Sequence, residues 1–96
     1  MRNYEVMYII RTDIEEENVQ SAIEKFQNVI TNGGGEITKS NVMGKRRLAY
    51  EIEKFRDGHY VLVNFQAEPA VVAELERVMK ISDEVIRYLI TNDVVA

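Results

Sequence analysis

One histidine and one acidic cluster in this 96-residue chain are of residue types that perform catalysis or bind metals in other proteins. His59 is the only histidine, and there is no cysteine, so disulfides, thiolate metal sites and thiol nucleophiles are excluded. Glu15, Glu16 and Glu17 are consecutive, and consecutive helical residues point about 100° apart, so they cannot converge on one ion. Carboxylates in a first helical turn favour the positive end of the helix dipole. We therefore interpret His59 and the acidic cluster as structural and predict no catalytic residue, metal site or cofactor.

A glycine-rich segment comes close to a phosphate-binding loop. Gly33–Gly35 is followed by Thr38, Lys39 and Ser40, with Thr38 standing where the last glycine of that motif belongs. A phosphate-binding loop runs from a strand into a helix, so that backbone N–H groups surround the phosphate. The pattern here runs from a helix into a strand. We interpret it as a helix cap and a turn.

Three consecutive cations, Lys45, Arg46 and Arg47, lie in a strand-like segment of a chain whose net charge is −4. Successive strand residues point to opposite faces, so Arg46 and Arg47 cannot both be buried under one cover. Charged side chains on an edge strand prevent another chain from joining the sheet. The alternative is a positive patch that binds a nucleic-acid backbone or an acidic protein surface. The pattern alone leaves both interpretations open.

The charges are unevenly distributed along the chain. Residues 13–36 contain six acids and one lysine, whereas residues 37–56 contain six bases and two acids. The length predicts one domain, residues 1–96. No apolar run approaches the roughly 20 residues of a membrane-spanning helix, and no signal segment opens the chain. We therefore expect a cytoplasmic protein that does not bind membranes.

The first half of the chain predicts a strand, a helix and a long second strand. Tyr4–Ile10 is rich in β-branched and aromatic residues. Asp13 stands three residues before Glu16, as in a capping box, and Asn32 with Gly33 ends the helix. Glu36 to about Lys54 reads as a strand with a bulge at Gly44. Because a bulge can shift the alternation by one residue, the sequence does not fix which side chains of this strand point toward the helices. The apolar residues at helical spacing, predicted to face the sheet, are Val19, Ile23, Phe26 and Ile30.

The second half predicts a strand, a helix and a strand. Asp57 and Gly58 form a hairpin-turn signal before an apolar strand from His59 to Phe65. Pro69 occupies a first helical position, and Leu75 and Met79 are predicted to face the sheet. Ser82 and Asp83 end this helix before the last strand, Val85 to Ile90.

The order of elements, β-α-β-β-α-β, predicts an α+β, ferredoxin-like fold with a four-stranded antiparallel sheet. Right-handed crossovers place both helices on one face of the sheet. Val6, Tyr8 and Ile10 can then face the helices, while Glu5, Met7 and Ile9 face outward. Uncovered apolar groups on that second face predict a docking surface.

The whole sequence resembles the bacterial small-subunit ribosomal protein S six family. The resemblance rests on Met1–Glu5, on the run Gly44–Ile52 (GKRRLAYEI) and on Val85–Leu89 (VIRYL), and it extends over essentially all residues. It implies a non-enzymatic RNA-binding ribosomal protein of the small subunit. It further implies binding to the central domain of the small-subunit ribosomal RNA together with ribosomal protein S eighteen.

The resemblance also assigns residues. It implies RNA contacts by Arg2, Tyr4, Lys54 and Arg87. Asn92 stands where relatives often have a basic residue, so an RNA contact there is left open. The surface for the protein partner is predicted to comprise Lys45, Arg46, Arg47, Leu48, Tyr50, Tyr60 and Leu62.

A second hypothesis is a ferredoxin-like domain that binds a small molecule or forms a dimeric enzyme, because this fold hosts many functions. An enzyme needs convergent polar groups in a pocket. The sequence offers none, so the ribosomal hypothesis is preferred.

Overall fold

The computed structural model describes residues 1–52 and 54–92. Four strands and two helices follow one another in the predicted order, and the strands form one antiparallel sheet in the order β2-β3-β1-β4. This topology confirms the predicted ferredoxin-like fold. The elements are β1 (Arg2–Ile10), α1 (Glu16–Asn32), β2 (Glu36–Ile52), β3 (Phe55–Ala67), α2 (Pro69–Ile81) and β4 (Val85–Asn92).

The core lies between the two helices and one face of the sheet. Alternate β1 residues Val6, Tyr8 and Ile10 are buried there with Val61, Val63 and Phe65 of β3. All six helix residues predicted to face the sheet are buried in the same cluster. The helical spacing therefore gave the correct phase for both helices. Neither helix of the described part of the chain is long and apolar enough to cross a membrane.

The predicted capping box at the start of α1 is wrong. The N-cap residue is Glu15, and no side chain caps the helix. Asp13 instead accepts two hydrogen bonds from Arg11, of 2.5 and 2.8 Å. A bidentate guanidinium–carboxylate pair is a strong, charge-assisted contact, and it takes the carboxylate away from the helix end. The predicted helix end is confirmed, because α1 stops at Asn32 and Gly33 is the C-cap.

The predicted hairpin turn at Asp57 and Gly58 is also wrong. Both residues lie inside β3, where Asp57 pairs with Arg47 and Gly58 with Arg46. The chain reverses between Ile52 and Phe55, where Lys54 has a φ of 71°. The glycine at position 58 therefore has a packing role and does not form a turn. β3 is longer than the predicted His59 to Phe65, whereas β2 ends at Ile52, close to the predicted end near Lys54.

Candidate functional site: the open face of the sheet

The face of the sheet that points away from the helices, here called the open face, carries the candidate site. Ile9 pairs with Tyr60 on one side and with Arg87 on the other, and Met7 pairs with Leu62 and Leu89 in the same way. Paired residues of neighbouring strands point to the same face. The open face is thus mainly apolar at its centre, with Arg87 on the edge strand β4.

The long strand β2 departs from regular pairing in ways that bend it. Near Gly44, which has a φ of 81°, the register with β3 shifts. A positive φ suits glycine and is typical of a β-bulge. Further on, Arg47 pairs with Asp57 and Ile52 with Phe55, so four β2 residues stand opposite one β3 residue. Bulges of this kind kink a strand and re-aim its side chains.

Beyond the end of β1, strands β2 and β3 continue as a hairpin. This hairpin, here called the arm, consists of Arg46–Ile52 and Phe55–Gly58 and bends over the open face. Leu48 on the arm is only 7% exposed and Ile9 beneath it 3%, although neither belongs to the main core. Between arm and sheet lies a groove of about 150 Å³. Its lining is mostly apolar and consists of Met7, Ile9, Leu48, Ala49, Tyr50, Ile52, Tyr60, Arg87 and Leu89.

A hydrogen bond ties the arm to the far edge of the sheet. The Arg87 Nη1 group donates to the Tyr50 hydroxyl oxygen at 2.5 Å. Tyr50 lies on β2 and Arg87 on β4, the two opposite edge strands. Three strand spacings separate these edges in a flat sheet, about 14 Å. Only a bent arm lets Tyr50 reach Arg87.

Two contacts hold the base of the arm. Thr12 donates to the Asp57 carboxylate at 2.7 Å, and Lys45 lies 3.6 Å from it. The Thr12 hydrogen bond, with a smaller contribution from Lys45, lowers the pKa of Asp57 below its ordinary value. Gly58 approaches β1 so closely that an added Cβ would lie 2.2 Å from the Ile9 Cγ2 atom. The arm is therefore seated directly on β1.

The cations of the arm differ in how they are paired. Arg56 lies 3.7 Å from Glu51. Within residues 1–52 and 54–92, Arg46 and Arg47 are exposed and make no hydrogen bond or ion pair. Two guanidinium groups with unused donors thus stand beside an apolar groove. In the same residues, no cluster of three acidic or histidine side chains could hold a metal ion.

The sequence matches the profile of the family described as Ribosomal protein S6 over residues 3–92. The chain belongs to the ribosomal protein S6 family. Small ribosomal subunit protein bS6 of Moorella thermoacetica is 57% identical over 92 residues, which is 96% of this chain and 94% of that one. The bS6 protein of Desulforamulus reducens is 56% identical over 93 residues, 97% and 98% of the two chains.

A solved structure agrees with this relationship. The crystal structure of 30S ribosomal protein S6 from Thermotoga maritima superposes with a TM-score of 0.91 at 34% identity, over 95% of this chain and 86% of that one. Family membership confirms that the chain is a protein of the small ribosomal subunit, located with the ribosome in the cytoplasm, and is not an enzyme. The alternative of a ferredoxin-like enzyme domain is thereby excluded.

The residues that the S6 resemblance assigned to RNA do not form one cluster. Arg2 is seven positions along β1 from Ile9, the partner of Arg87, which is about 23 Å. Lys54 is exposed at the tip of the arm. Tyr4 is only 5% exposed and stacks on Phe65 with ring centroids 5.6 Å apart. In this conformation the Tyr4 ring is not available for stacking on a base.

The residues assigned to the protein partner come closer together. Leu48, Tyr50 and Tyr60 line the groove, and Leu62 is the cross-strand neighbour of Met7 on the same face. Met7, Ile9 and Leu89 also belong to the groove but were not assigned by the sequence. The sequence predicted that Met7 and Ile9 on β1 face outward, and this could have assigned both residues to the groove. No sequence pattern indicated that the arm bends.

Proposed function

We propose that this protein binds the central domain of the small-subunit ribosomal RNA jointly with ribosomal protein S eighteen. The arm and the open face form the protein-partner surface, and Arg2, Lys54 and Arg87 contact RNA. The observation that supports this most directly is the mainly apolar groove beneath the arm, beside the exposed Arg46 and Arg47, which make no hydrogen bond or ion pair with the residues that the structure describes. Tyrosine and arginine side chains around an apolar centre are the groups that dominate protein interfaces.

The partner surface combines two kinds of contact. Leu89 is 55% exposed and Tyr50 61% exposed, so a partner can remove substantial apolar area from water here. Arg46 and Arg47 add planar groups with several donors, which can bond to carbonyl and carboxylate oxygens of a partner. Lys45 is partly neutralised by Asp57. We therefore assign Arg46 and Arg47 as the polar border of the interface and Tyr50, Tyr60 and Leu62 as its apolar centre, while Leu48, only 7% exposed, supports them by packing the arm against the sheet.

The RNA contacts require help from the partner, because the net charge of −4 opposes approach to a polyanion. Arg2, Lys54 and Arg87 are separated on the surface, and each can reach a phosphate by itself. Such contacts position a protein on RNA, but three isolated cations on a chain of net charge −4 give weak binding alone. The Tyr4 ring packs on Phe65 in the core, so we assign Tyr4 no RNA contact.

The partner surface is tested by measuring heterodimer formation with S eighteen in calorimetry. Replacing Arg46 and Arg47 together by Glu should weaken pairing at least tenfold, about 1.4 kcal/mol. The thermal midpoint should change by no more than a few degrees, because both side chains are exposed. The matched control is Lys39→Glu with Lys80→Glu, which changes the net charge equally at exposed positions away from the groove. Unchanged pairing would return the arginines to a role in protecting the edge strand.

The RNA contacts are tested by filter binding of the central-domain RNA with this protein alone, with S eighteen alone, and with both. We expect a tight complex only with both proteins, weakened by Arg2→Ala, Lys54→Ala or Arg87→Ala. Lys80→Ala, at the end of α2, is the control for loss of one exposed cation. Tight saturable binding by this protein alone would contradict joint binding. Full binding by a variant would remove that residue from the RNA surface.

A further inference from the structure

The hydrogen bond between Arg87 and Tyr50 joins a residue assigned to RNA with a residue assigned to the protein partner. The two side chains are 37 positions apart in the sequence and lie on opposite edges of the sheet. In the described part of the chain, this is the one hydrogen bond that either side chain makes. Whatever fixes Tyr50 therefore also fixes the guanidinium of Arg87.

Arg87 would otherwise be a long exposed side chain with many conformations. Immobilising such a side chain on binding costs conformational entropy and so lowers affinity. A guanidinium has five N–H donors, and the bond to Tyr50 uses one of them. The remaining donors stay free to bond a phosphate while the Tyr50 bond is kept. The bond thus orients Arg87 without blocking it.

The arm makes this orientation possible. Tyr50 lies in the segment where four β2 residues face one β3 residue, and that irregular stretch carries its side chain across the sheet. Leu48, two residues earlier, is buried over the open face, and Gly58 allows the arm to sit against Ile9. The bent arm thereby brings the Tyr50 hydroxyl within hydrogen-bond distance of Arg87 on β4.

We propose that Tyr50 is a positioning residue for Arg87: its hydroxyl holds the guanidinium in a conformation ready to bind an RNA phosphate. The arm thereby transmits partner docking to the RNA contact. This inference rests on the proposed RNA contact of Arg87. A partner that packs on the arm keeps it in place over the open face and so keeps Arg87 ordered. The structure therefore supplies a physical link by which protein pairing strengthens RNA binding.

The first test uses the free protein and needs no ligand. Nitrogen-15 relaxation of the Arg87 Nε–H group is compared between wild type and Tyr50→Phe, which removes the hydroxyl and keeps the ring. We expect a restrained guanidinium in wild type and a mobile one in the variant. The control is Tyr88→Phe, next to Arg87 in sequence, whose hydroxyl bonds Glu76 at 3.4 Å on α2. Equal mobility in wild type and Tyr50→Phe would overturn the inference.

The second test is a double-mutant cycle in filter binding of the central-domain RNA in the presence of S eighteen. Tyr50→Phe should weaken binding about three- to tenfold, the range expected for one hydrogen bond. In an Arg87→Ala background the same change should have no further effect. Tyr88→Phe should bind as wild type, and the thermal midpoint of Tyr50→Phe should stay close to that of wild type.

The two tests separate this inference from the function on which it rests. If Arg87→Ala binds RNA as wild type, both the RNA contact of Arg87 and its positioning by Tyr50 are overturned. If Arg87→Ala weakens binding but Tyr50→Phe does not, the RNA contact stands and the inference alone fails. Additive losses in the cycle would also overturn it, because Tyr50 would then act independently of Arg87.

Discussion

At the scale of single residues, the most unusual side chain is Tyr8. It is 1% exposed, and its hydroxyl has no hydrogen-bond partner among the described residues. Its ring meets Phe26 edge-on, with centroids 5.2 Å apart and an interplanar angle of 80°. The ring is therefore well packed, whereas the hydroxyl oxygen is buried without a hydrogen bond. A buried hydroxyl without a partner destabilises the folded state by about 1–3 kcal/mol.

We expect Tyr8→Phe to stabilise the protein by about 1 kcal/mol in urea unfolding, because it removes the unpartnered oxygen and keeps the ring. The matched control is Tyr88→Phe, which removes a hydroxyl that is hydrogen bonded to Glu76. The control should be neutral or slightly destabilising. A loss of stability in Tyr8→Phe would show that the hydroxyl is satisfied in solution.

Tyr8 also predicts a dependence of stability on alkaline pH. Burial raises the pKa of the Tyr8 hydroxyl well above its ordinary value. Above about pH 10 the unfolded chain ionises at Tyr8 while the folded chain does not, so stability is lost as the pH rises toward the folded pKa. Wild type should therefore lose more stability than Tyr8→Phe between about pH 9 and pH 11. Equal losses would contradict a buried, neutral Tyr8.

Phe26 tests the packing of α1 on the sheet. It is 1% exposed and lies against Tyr8 in the centre of the core. Phe26→Ala should lower the free energy of unfolding by about 3–5 kcal/mol in urea denaturation, the range for a fully buried phenylalanine. Glu24→Ala on the exposed side of the same helix should change stability by less than about 0.5 kcal/mol. A loss below about 1 kcal/mol for Phe26→Ala would show that the helix phase is wrong.

At the scale of elements, apolar periodicity predicted the helices well because the facing of a helix depends on side chains spaced three and four residues apart. The start of α1 was missed because Asp13 has a stronger local partner, Arg11. The hairpin turn was misplaced because Asp57 and Gly58 carry a turn signal but serve as an anchor and as the site of close approach to Ile9. Local composition does not show which residues make tertiary contacts of this kind.

The candidate site was predictable in part. The cationic run and the apolar outward positions of β1 indicated a docking surface, and the family resemblance supplied the residues. The closure of the arm was not predictable, because it depends on the register shift between Arg47 and Ile52. The contact between Tyr50 and Arg87 follows from that shift. Strand periodicity carries no information on it.

The seating of the arm can be tested at Gly58. A Cβ there would meet the Ile9 side chain, so Gly58→Ala should cost about 1–3 kcal/mol and raise hydrogen exchange in the arm. Ile9→Ala makes room, so the two changes together should cost less than the sum of the single changes. Gly44→Ala is the control, since it meets no atom within 4 Å but forces alanine to a φ of 81°. The loss of unfolding free energy caused by Gly44→Ala should simply add to the loss caused by Ile9→Ala.

At the scale of the whole molecule, acidic and basic groups are separated. The exposed faces of the helices carry Glu16, Glu17, Glu24, Glu74 and Glu76. The arm and the strand leading into it carry six of the twelve lysines and arginines. The helices carry more acids than bases and disfavour a polyanion, whereas Arg2, the arm and Arg87 carry exposed cations that attract one. This separation gives the molecule one orientation for approach to RNA.

The charge separation predicts the salt dependence of the joint RNA complex. Each phosphate contact should contribute roughly 0.7–0.9 to the slope of log affinity against log salt. Arg2→Ala and Arg87→Ala should each reduce the slope by about that amount, whereas Lys80→Ala should leave it unchanged. The measurement is a filter-binding series at several salt concentrations. An unchanged slope for Arg2→Ala or Arg87→Ala would show that the residue does not touch a phosphate.

The two edge strands of the sheet differ in how well they resist the addition of a strand from another molecule, which matters for aggregation during storage and overproduction. β2 is irregular, bulged at Gly44 and charged, which are the features that discourage addition of another strand. β4 is eight residues long, and Arg87 is its one charged residue. Any fibrous aggregate of this protein should therefore grow from β4, and a lysine introduced at Leu89 or Thr91 should delay it.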